Sequence, residues 1–558
     1  MPRSATDRPA PTGPPWPRAS PQPIDSDEQL RDLVARLRDR KPTAIGLWIG
    51  PDPTRGRHDA DDWRGATSGH AAIAVAPQGD TPPPVWSLDP KAGLDPMPLL
   101  SWLAEADAPY VVTHGAQITL HRIIDWAGRA DAPLPARLGC TQTAAVLLAE
   151  GARHRATSLS ECVERALGRP WPLSAPELPL AEPDRALVAA TAASVLAPLL
   201  AALTPMLRRR ELVRVFELEC HLVPSVVAME RAGVGVDAAA FQRIVDGWVR
   251  EQPTATEPDR QTRLAKLVST YGYWPREYIS GDRIFCRLHP LAADSGRFSC
   301  TEPNLQQVPG PHVAPGMRAC FVPPPGQVLV VADYAQIELR VAAHLAPCDA
   351  MRAVFREGRD PHRATAATLT GKPEAEVSDR ERQLAKAVNF GFLFGMGAPR
   401  FQSYAQSSYG VELDMTEARR AREAFLRTFP GIARWHSRVG KLGRGVSSQA
   451  VTVRTVLGRR KRFEPGKMSF NAALNIPVQG TAAEGFKLAM TRLQPRLAAL
   501  GGRGILSVHD EYLAELPADR AEEGCRVVAQ TMKEAMAQVV TTVPIEVEAH
   551  VAQSWADK

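Results

Sequence analysis

The sequence lacks the features of metal-stapled, disulfide-stapled and secreted proteins. Its eight cysteines are scattered and form no C-x-x-C pair, which argues against a zinc site and against a disulfide framework. The N-terminus has no apolar core of a secretory signal peptide. We expect no membrane-spanning segment, because the apolar stretches read as shorter than the roughly 18–20 residues that a span needs. A cytoplasmic protein with no membrane partner is therefore expected.

A strong excess of charge of either sign is also missing. The 558 residues carry 67 basic and 61 acidic side chains, a net charge of +6, and 44% of the residues are hydrophobic. This composition is ordinary for a soluble globular protein, and it permits a nucleic-acid partner without arguing for one. A chain of this length exceeds a single hydrophobic core, so several domains are expected.

Three regions of the chain differ in pattern. Residues 1–26 contain eight prolines and little apolar material, and they are predicted to form a disordered tail. Residues 27–207 combine short apolar runs at 44–49 and 71–76 with helical stretches rich in alanine and leucine, which predicts an α/β domain. Residues 208–558 carry most of the polar motifs.

Two acidic residues follow apolar strands that lie far apart in the sequence. The run QVLVVA at 327–332 predicts a buried strand that ends at Asp333, and GILSV at 504–508 predicts a strand whose hairpin turn carries Asp510. Each aspartate alone is also typical of a helix N-cap or a turn. Brought together, two carboxylates repel one another unless divalent cations lie between them, and hard oxygen ligands suit Mg²⁺. The pair therefore predicts a site for two Mg²⁺ ions in phosphoryl transfer.

Two cationic and two aromatic residues recur at every fourth position of the segment ERQLAKAVNFGFLFG. Arg382, Lys386, Phe390 and Phe394 lie along one face of a helix that turns by about 100° per residue. Cations suit phosphates, and flat rings suit a base or a sugar. This face is therefore predicted to hold a nucleoside triphosphate, and a partly buried amphipathic helix is the alternative.

Several segments resemble, in the same order, the motifs of family A DNA polymerases, the bacterial DNA polymerase I type. The three polymerase motifs are matched by DYAQIELR at 333–340, RQLAKAVNFGFLFG at 382–395 and VHDE at 508–511. Further similar segments are SGRFSCTEPNLQQVPG at 295–310, DPHRATA at 360–366 and LNIPVQGTAAE at 474–484. The resemblance implies a DNA-directed DNA polymerase of replication or repair, with primer–template DNA and deoxynucleoside triphosphates as partners.

The resemblance also implies a role for each matching residue. Asp333 and Asp510, with the backbone carbonyl of Tyr334, would bind the two Mg²⁺ ions, and Lys386 would protonate the leaving pyrophosphate. Glu338 would exclude a ribose 2′-hydroxyl. The nucleotide would contact Arg382, Lys386, Phe390, Phe394, His362, Gln336 and Glu338. Template or primer would contact Arg297, Asn304, Gln306, Asn475, Gln479 and His509.

The implied architecture is α+β, a right-hand polymerase preceded by an RNase H-like α/β domain of the 3′–5′ exonuclease type. The thumb would span about residues 211–290, and palm and fingers about 291–558, with the fingers at about 350–450. Only 60 residues separate Asp237 from Arg297, so we expect a shortened thumb and low processivity without an unidentified partner. The resemblance suggests a monomer of bacterial or phage origin, associated with the nucleoid, whose fingers close over the nucleotide.

One polymerase position departs from the family pattern. Phe394 stands where the family usually has a tyrosine hydrogen-bonded to the gate glutamate. A buried acceptor without a partner is costly, so another donor should serve Glu338. Looser selection of the incoming nucleotide is expected.

The first domain departs from its family pattern more severely. Thr119, Ala190 and Ser194 stand where metal-binding or catalytic residues are expected, and no Asp or Glu occurs from 41 to 51. Neutral hydroxyls cannot replace ionised oxygen ligands, so this domain is predicted to be an inactive 3′–5′ exonuclease-like domain. We also expect no 5′ nuclease domain.

Three other interpretations stay open. The chain could be a single-subunit RNA polymerase, although Glu338 and Glu511 favour the DNA enzyme. It could be a nucleic-acid-binding relic without catalysis, although the synthetic carboxylates are retained. It could also proofread with displaced carboxylates such as Asp52 or Asp59.

Overall fold

A computed structural model describes residues 14–50, 70–76, 83–152, 158–173, 182–445 and 449–557. The chain divides into two compact units, Met1–Val227 and Ala228–Lys558. The division falls within one helix, Val213–Ala232. The displaced carboxylates considered above, Asp52 and Asp59, lie outside the described residues.

The first unit is built on a six-stranded sheet. Its described elements are β1 (Gln22–Ile24), α1 (Asp27–Arg40), β2 (Ala44–Ile49), β3 (Ala71–Val75), β4 (Val85–Leu88), α2 (Met97–Leu103), β5 (Tyr110–Thr113), α3 (Ala116–Ala127), β6 (Leu138–Cys140), α4 (Thr141–Leu148), α5 (Leu159–Leu167), α6 (Glu182–Arg209) and α7 (Val213–Ala232), which continues into the second unit. The strand order is β1-β4-β3-β2-β5-β6, with β3 antiparallel to both of its neighbours. The predicted strands at 44–49 and 71–76 are present as β2 and β3, and the mixed sheet agrees with the expected α/β domain.

Helix α6 corrects the expectation that no apolar stretch reaches the length of a membrane span. Residues Arg185–Arg209 have a mean hydropathy of 2.2 over 18 residues, and 72% of that window is buried inside the protein. The helix packs closely on the sheet, since a Cβ added at Gly46 of β2 would lie 2.1 Å from the carbonyl oxygen of Ala193. The run is long because a central helix covers a wide apolar sheet face.

The prediction of a disordered tail over residues 1–26 is wrong for residues 14–26, which are ordered. Residues 1–13 lie outside the described residues. Strand β1 pairs in parallel with β4 at the sheet edge, where proline is tolerated because one side of the strand needs no donor. Trp16 is 9% exposed, and its indole nitrogen donates to Ser194 Oγ over 3.0 Å. The Arg169 guanidinium lies 5.6 Å from the Trp16 ring centroid. A single aromatic anchor thus orders a segment of low mean hydropathy.

The second unit contains the remaining elements. In chain order they are β7 (Val234–Gly235), α8 (Ala238–Glu251), α9 (Pro258–Tyr271), α10 (Trp274–Glu277), β8 (Ile279–Ser280), β9 (Arg283–Ile284), β10 (Arg287–His289), β11 (Ser299–Thr301), β12 (Gln327–Tyr334), α11 (Ile337–Leu345), α12 (Asp349–Arg356), α13 (Pro361–Thr370), α14 (Asp379–Leu393), α15 (Ala398–Tyr409), α16 (Met415–Thr428), α17 (Pro430–Gly445), β13 (Val451–Arg454), β14 (Arg460–Phe463), α18 (Phe470–Ala498), β15 (Arg503–Val508), β16 (Glu511–Pro517), α19 (Ala521–Ala537) and β17 (Val547–Ala552).

A four-stranded antiparallel sheet forms the centre of the second unit. Its order is β15-β16-β12-β17, so the apolar strand β12 is paired on both sides and cannot shift its register without burying polar groups. Tyr334 at its end is buried, and its hydroxyl donates to the carbonyl of Met532 in α19 over 2.9 Å. The predicted strand is confirmed, and β12 continues through Asp333 to Tyr334, one residue beyond the predicted end.

A group of helices, α12 to α17, follows the first palm strand. Helix α14 begins with a capping box between Ser378 and Glu381, and its buried face carries Phe392 into a cluster of aromatic rings with Phe401 and Phe425. The helix ends at Leu393, so Phe394, the last of the four residues predicted to lie on one helix face, follows the end of the helix. Gly395 follows with φ of 73°, a conformation that terminates helices.

The predicted thumb region consists of short helices joined by aromatic contacts. Helices α8 and α9 have 14 residues each. The Tyr271 ring centroid lies 6.4 Å from that of Trp248 and 4.8 Å from that of Trp274, so these rings hold the helices together. Low processivity of this region stays a prediction.

We predict that Trp16→Ala lowers the free energy of unfolding of the first unit by roughly 3 kcal/mol, because it leaves a cavity and removes the donor to Ser194. Native-state hydrogen exchange of amides in the first unit measures the change. Arg18→Ala, which removes an exposed side chain of the same segment, is the control and should change little. Equal protection in the two variants would contradict the assigned anchor.

Candidate active site

The two aspartates of the sequence analysis lie at neighbouring positions of the palm sheet. Asp333 is opposite Glu511 in the register of β12 and β16, and Asp510 directly precedes Glu511 in the turn between β15 and β16. His509 in that turn has a φ of 58°. Since paired strands lie about 4.8 Å apart, the register brings the two carboxylates together at one end of the sheet.

The electrostatics of Asp510 reflect this proximity. Burial, followed by the charge of Asp333, raises the pKa of the Asp510 carboxyl to about 7. The nearby Arg297 guanidinium acts in the opposite direction. Two acidic groups in one partly dehydrated site cannot both ionise cheaply without a compensating cation.

A buried arginine holds the turn between β12 and α11. Arg340 is 2% exposed and donates to the carbonyl of Ala335 over 2.9 Å and to Glu546 over 2.6 Å. Its guanidinium also lies 4.4 Å from the ring centroid of Phe355. Gln336, which precedes the helix, has a φ of 54°, and the fixed turn directs the first residues of α11 towards the aspartates.

Glu338 on the first turn of α11 has two donors. Arg297 Nη2 lies 2.6 Å from Glu338 Oε1, and Gln479 Nε2 lies 3.2 Å from the same oxygen. The expectation that another donor serves Glu338 in place of a tyrosine is confirmed by these contacts. Two predicted DNA-binding residues are therefore engaged with the predicted gate residue.

The opposite wall of the site comes from α13 and α14. His362 is 1% exposed, and its ring centroid lies 5.8 Å from that of Phe390. Arg382 Nε donates to Asp360 over 2.6 Å. Burial, helped by the charges of Arg382 and Lys386, lowers the pKa of His362 to about 4. His362 is therefore uncharged at neutral pH, and the positive charge of this wall at the pocket comes from Arg382 and Lys386.

A pocket of about 540 Å³ joins these two walls. Most predicted catalytic and nucleotide-binding residues line it. The lining consists of Arg297, Asp333, Tyr334, Ala335, Gln336, Ile337, Glu338, His362, Arg382, Lys386, Phe390, His509, Asp510 and Glu548. Carboxylates thus face cations across a cavity that is large enough for a nucleotide.

Five predicted site residues lie outside the pocket lining. Phe394 follows the end of α14, and its carbonyl accepts a hydrogen bond from Asn471 over 2.6 Å, which corrects the prediction that four residues of one helix face form the nucleotide stripe. Asn304 accepts from the backbone of Gln306 over 3.2 Å. Gln306 donates to the carbonyl of Ser507 over 3.0 Å.

The remaining two of those five residues lie on α18. Gln479 reaches the site only through Glu338. Asn475 is half-buried, and within the described part of the chain its Oδ1 atom has no hydrogen-bond partner. Neither side chain lines the pocket in this DNA-free structure.

Three residues near the site were missed in the sequence analysis. Glu548 lines the pocket and is opposite Asp333 in the register of β12 and β17. A signal existed, because period-two alternation in EVEAHVA places Glu546, Glu548 and His550 on one face of a strand. Asp360 and Asn389 were missed because the contacts that tie them to the site, with Arg382 and His362 respectively, join one helix to the next.

The carboxylates of the pocket are the side chains that could hold the expected divalent ions. Among the described residues no group of three His, Cys, Asp or Glu side chains forms a metal cluster. Asp333 and Asp510 offer oxygen ligands only, and burial together with the charge of Asp333 raises the pKa of Asp510. This set fits Mg²⁺, which binds one or two carboxylates and fills its shell with water and substrate phosphates.

The positions predicted for exonuclease ligands in the first unit are occupied differently. The hydroxyl of Thr119 donates to the carbonyl of Gly115 over 3.2 Å, and Ser194 Oγ donates to Thr191 O over 2.7 Å. At the end of β2, Arg122 Nη1 donates to the carbonyl of Ile49 over 2.8 Å. Burial lowers the pKa of Arg122 to about 10, so this guanidinium remains a cation at neutral pH.

We predict that Asp510→Asn stabilises the metal-free protein at high pH. The pKa of Asp510 in the folded protein lies above that of an unfolded aspartate, so its protonated form gives stability that is present below about pH 4 and lost as the pH rises through about 7. At pH 8 the variant should be more stable by roughly 2–4 kcal/mol.

Denaturant unfolding in EDTA at pH 4.5 and pH 8 measures this difference, with the exposed Asp519→Asn as the control. The difference in free energy of unfolding between the variant and the wild type should be smaller at pH 4.5. At pH 8, Mg²⁺ should stabilise the wild type more than the variant. A pH-independent gap would contradict the assigned repulsion.

Comparisons with known proteins place these motifs in a family. The family model of DNA polymerase family A matches residues 222–557. The chain is 36% identical over 282 residues to DNA polymerase I of Aquifex aeolicus, which covers 50% of this chain and 47% of the relative. It is 35% identical over 360 residues to the thermostable DNA polymerase I of Thermus aquaticus, which covers 62% of this chain and 41% of the relative. The chain thus spans about half or less of the length of these curated relatives.

A solved structure shares the fold. It is described as the POL domain of Pol1 from M. smegmatis in complex with DNA primer-template and dNTP, and it is 24% identical in sequence, with a TM-score of 0.77 over 94% of this chain and 98% of that chain. The expected α+β right-hand polymerase architecture agrees with this likeness. Because the family model matches more than half of its length, the chain belongs to DNA polymerase family A.

Proposed function

We propose that the chain is a DNA-directed DNA polymerase that adds deoxynucleotides to a primer 3′-hydroxyl and releases pyrophosphate. The observation that carries the proposal is one pocket in which Asp333 and Asp510 face Arg382 and Lys386. Little covalent chemistry falls to the protein in such a reaction, because positioning and charge neutralisation supply most of the rate.

In this proposal Asp333, Asp510 and the backbone carbonyl of Tyr334 hold two Mg²⁺ ions. The ions would neutralise charge on the attacking and leaving oxygens. The sheet contributes rigidity, since β12 is paired on both sides and the β15–β16 turn cannot move independently of it. Glu511 is not assigned a ligand role, because its Oε1 accepts from Trp555 Nε1 over 2.6 Å inside the core.

The triphosphate binds along α14. Arg382 and Lys386 supply fixed positive charge, and Lys386 is the candidate proton donor to pyrophosphate. His362 adds a neutral donor, because burial keeps its pKa near 4. Phe390 and Gln336 lie against the sugar and base of the nucleotide. Phe394 lies outside the pocket lining and acts on the nucleotide indirectly, through the C-terminal end of α14.

Selection against ribonucleotides is assigned to Glu338. Arg297 and Gln479 hold its carboxylate, so a rigid acidic wall meets the 2′ position of the sugar. This arrangement favours the DNA enzyme over the alternative of a single-subunit RNA polymerase. Looser nucleotide selection caused by Phe394 stays a prediction.

Template and primer contacts are assigned to Arg297, Asn304, Gln306, Asn475, Gln479 and His509. The side chains of Arg297, Gln479 and Gln306 are bonded within the protein, so binding DNA requires them to exchange partners. Asn475 already has an unpaired buried oxygen among the described residues, which supports a ligand contact there.

Proofreading is proposed to be absent. Thr119 and Ser194 use their hydroxyls in local helix bonds, and Arg122 places a buried cation at the end of β2. A fixed cation opposes divalent ions at the same place. Residual exonuclease activity is the second candidate, and its carboxylates, Asp52 and Asp59, lie outside the described residues.

The cellular setting follows from the same proposal. A bacterial or phage polymerase of this kind acts on the nucleoid in the cytoplasm, in replication or repair, as a monomer. Its expected low processivity leaves room for a partner that lengthens binding to DNA. These points rest on family membership and on the chemistry of the site.

We predict that Asp333→Ala and Asp510→Ala each lower the rate of deoxynucleotide addition by on the order of 10³-fold or more, because charge neutralisation at the reacting phosphate is lost. Single-turnover primer extension with Mg²⁺ measures the rate, and a gel-shift assay verifies that DNA still binds. Asp519→Asn, an exposed carboxylate on the same unit, is the matched control.

The same assay with ribonucleotides separates the two polymerase types, since the proposal requires strong preference for deoxynucleotides. Full extension by both alanine variants would overturn the assigned chemistry. Preference for ribonucleotides would support the RNA polymerase instead.

We predict that a primer with a mismatched 3′ end stays intact in Mg²⁺ without nucleotides, because the first unit holds no ionised ligand set at the expected positions. Denaturing gels of a 5′-labelled primer detect any shortening. The Asp333→Ala variant controls for excision by the polymerase site. Shortening that persists in that variant would show an active exonuclease and refute the proposal.

A further inference from the structure

A buried polar network lies behind His362, between α13 and α14. Thr365 and Asn389 are fully buried and His362 is 1% exposed. Asn389 Nδ2 donates to the carbonyl of Pro361 over 3.1 Å and lies 2.9 Å from His362 Nδ1. Thr365 Oγ1 lies 2.7 Å from Asn389 Oδ1. Polar groups in such a place persist only when each has a partner.

The carbonyl of Pro361 decides which way the Asn389 amide faces. A carbonyl oxygen only accepts, so the amide nitrogen must be the atom at 3.1 Å from it. The reversed amide would set two acceptor oxygens against each other at that distance. The Thr365 hydroxyl then donates to Asn389 Oδ1, its shorter contact at 2.7 Å, and the amide is held from both ends.

The orientation of Asn389 fixes the tautomer of His362. Since the amide nitrogen donates to Nδ1, this ring atom is an acceptor, and the ring proton resides on Nε2. The ring lines the pocket beside Arg382 and Lys386. Within the described part of the chain, no hydrogen bond to Nε2 exists. A nearly buried donor thus faces the place where the triphosphate is proposed to bind.

We propose that Asn389 is a positioning residue that holds His362 as its Nε2–H tautomer, so that the ring donates a hydrogen bond to a phosphate oxygen of the incoming nucleotide. This inference rests on the proposed function. The other tautomer would present a lone pair to an anionic oxygen, which is repulsive and removes a charge-assisted hydrogen bond. Asn389 itself does not line the pocket, so it acts only through His362.

The low basicity of His362 explains why a positioning residue is needed. Burial and the charges of Arg382 and Lys386 keep the pKa of the ring near 4. A protonated histidine would donate from both nitrogens, whereas a neutral ring donates from one. The identity of that one nitrogen therefore has to be fixed by a neighbour.

The tautomer is measured directly in the nucleotide-free protein. Two-bond ¹H–¹⁵N correlation spectra of histidine-labelled full-length chain at pH 7.5, assigned with His362→Gln, distinguish protonated from unprotonated ring nitrogens. The expected result is a protonated Nε2 and an unprotonated Nδ1, and a mixture of tautomers in Asn389→Leu. A protonated Nδ1 in the wild type would overturn the proposal whether or not the chain is a polymerase.

Kinetics then test the consequence. Asn389→Leu, which keeps the volume and removes the donor, should raise KM for the deoxynucleotide by about tenfold and change kcat by less than about threefold. Thr365→Val, the milder variant, should raise KM less and in the same direction. Thr368→Val removes a hydroxyl that bonds its own helix on the same segment, and should leave both constants unchanged.

A double variant separates positioning from a general packing defect. Glutamine at 362 carries a donor nitrogen that needs no tautomer, so adding Asn389→Leu to His362→Gln should raise KM by less than about twofold. An equal tenfold loss in that background would show that Asn389 acts through packing and would overturn the proposal. Absence of all extension by the wild type would refute the proposed function, while the spectra would still decide the tautomer.

Discussion

Two carboxylates that repel one another are held at one end of a rigid sheet, and much of the second unit serves to keep them there. Asp333 is the penultimate residue of a strand that is paired on both sides, and Asp510 lies in a two-residue turn of the same sheet. Burial and mutual charge raise the pKa of Asp510 to about 7. The backbone hydrogen bonds of the sheet hold the two carboxylates together despite their repulsion, which a bound cation would reduce.

The two arginines of the positively charged side of the site are each already paired with a carboxylate of the protein. Arg297 is bonded to Glu338, and Arg382 is bonded to Asp360. Each arginine can give up a carboxylate for a more strongly charged phosphate, so the site exchanges ion pairs rather than exposing bare charge. Lys386 lines the same pocket and forms no ion pair among the described residues. His362 in the same lining is neutral, so it can donate a hydrogen bond in a fixed direction without adding charge.

The first unit is built on a six-stranded mixed sheet, and the exonuclease-like origin proposed for it rests on the sequence resemblance. Helix α6 packs on this sheet and contains an apolar run long enough to cross a membrane. At positions where exonuclease ligands were predicted, the hydroxyls of Thr119 and Ser194 donate to backbone carbonyls of their own helices, and Arg122 lies at the end of β2. Trp16 fastens the N-terminal segment to Ser194 on the same helix. These contacts are the basis of the proposal that the first unit does not proofread.

Local patterns in the sequence determined the strands β12 and β15 and the face of α14 that carries Arg382, Lys386 and Phe390, because a short apolar run and period-four spacing need no distant contact. Sequence also indicated that Asp333 and Asp510 belong together. The tertiary structure alone decided that Glu548 lines the pocket, that Phe394 falls beyond the end of α14, that Trp16 orders a proline-rich segment, and that Asn389 sets the tautomer of His362. Each of these depends on groups remote in sequence or on neighbouring elements, and no single periodicity records which side chain a folded neighbour will meet.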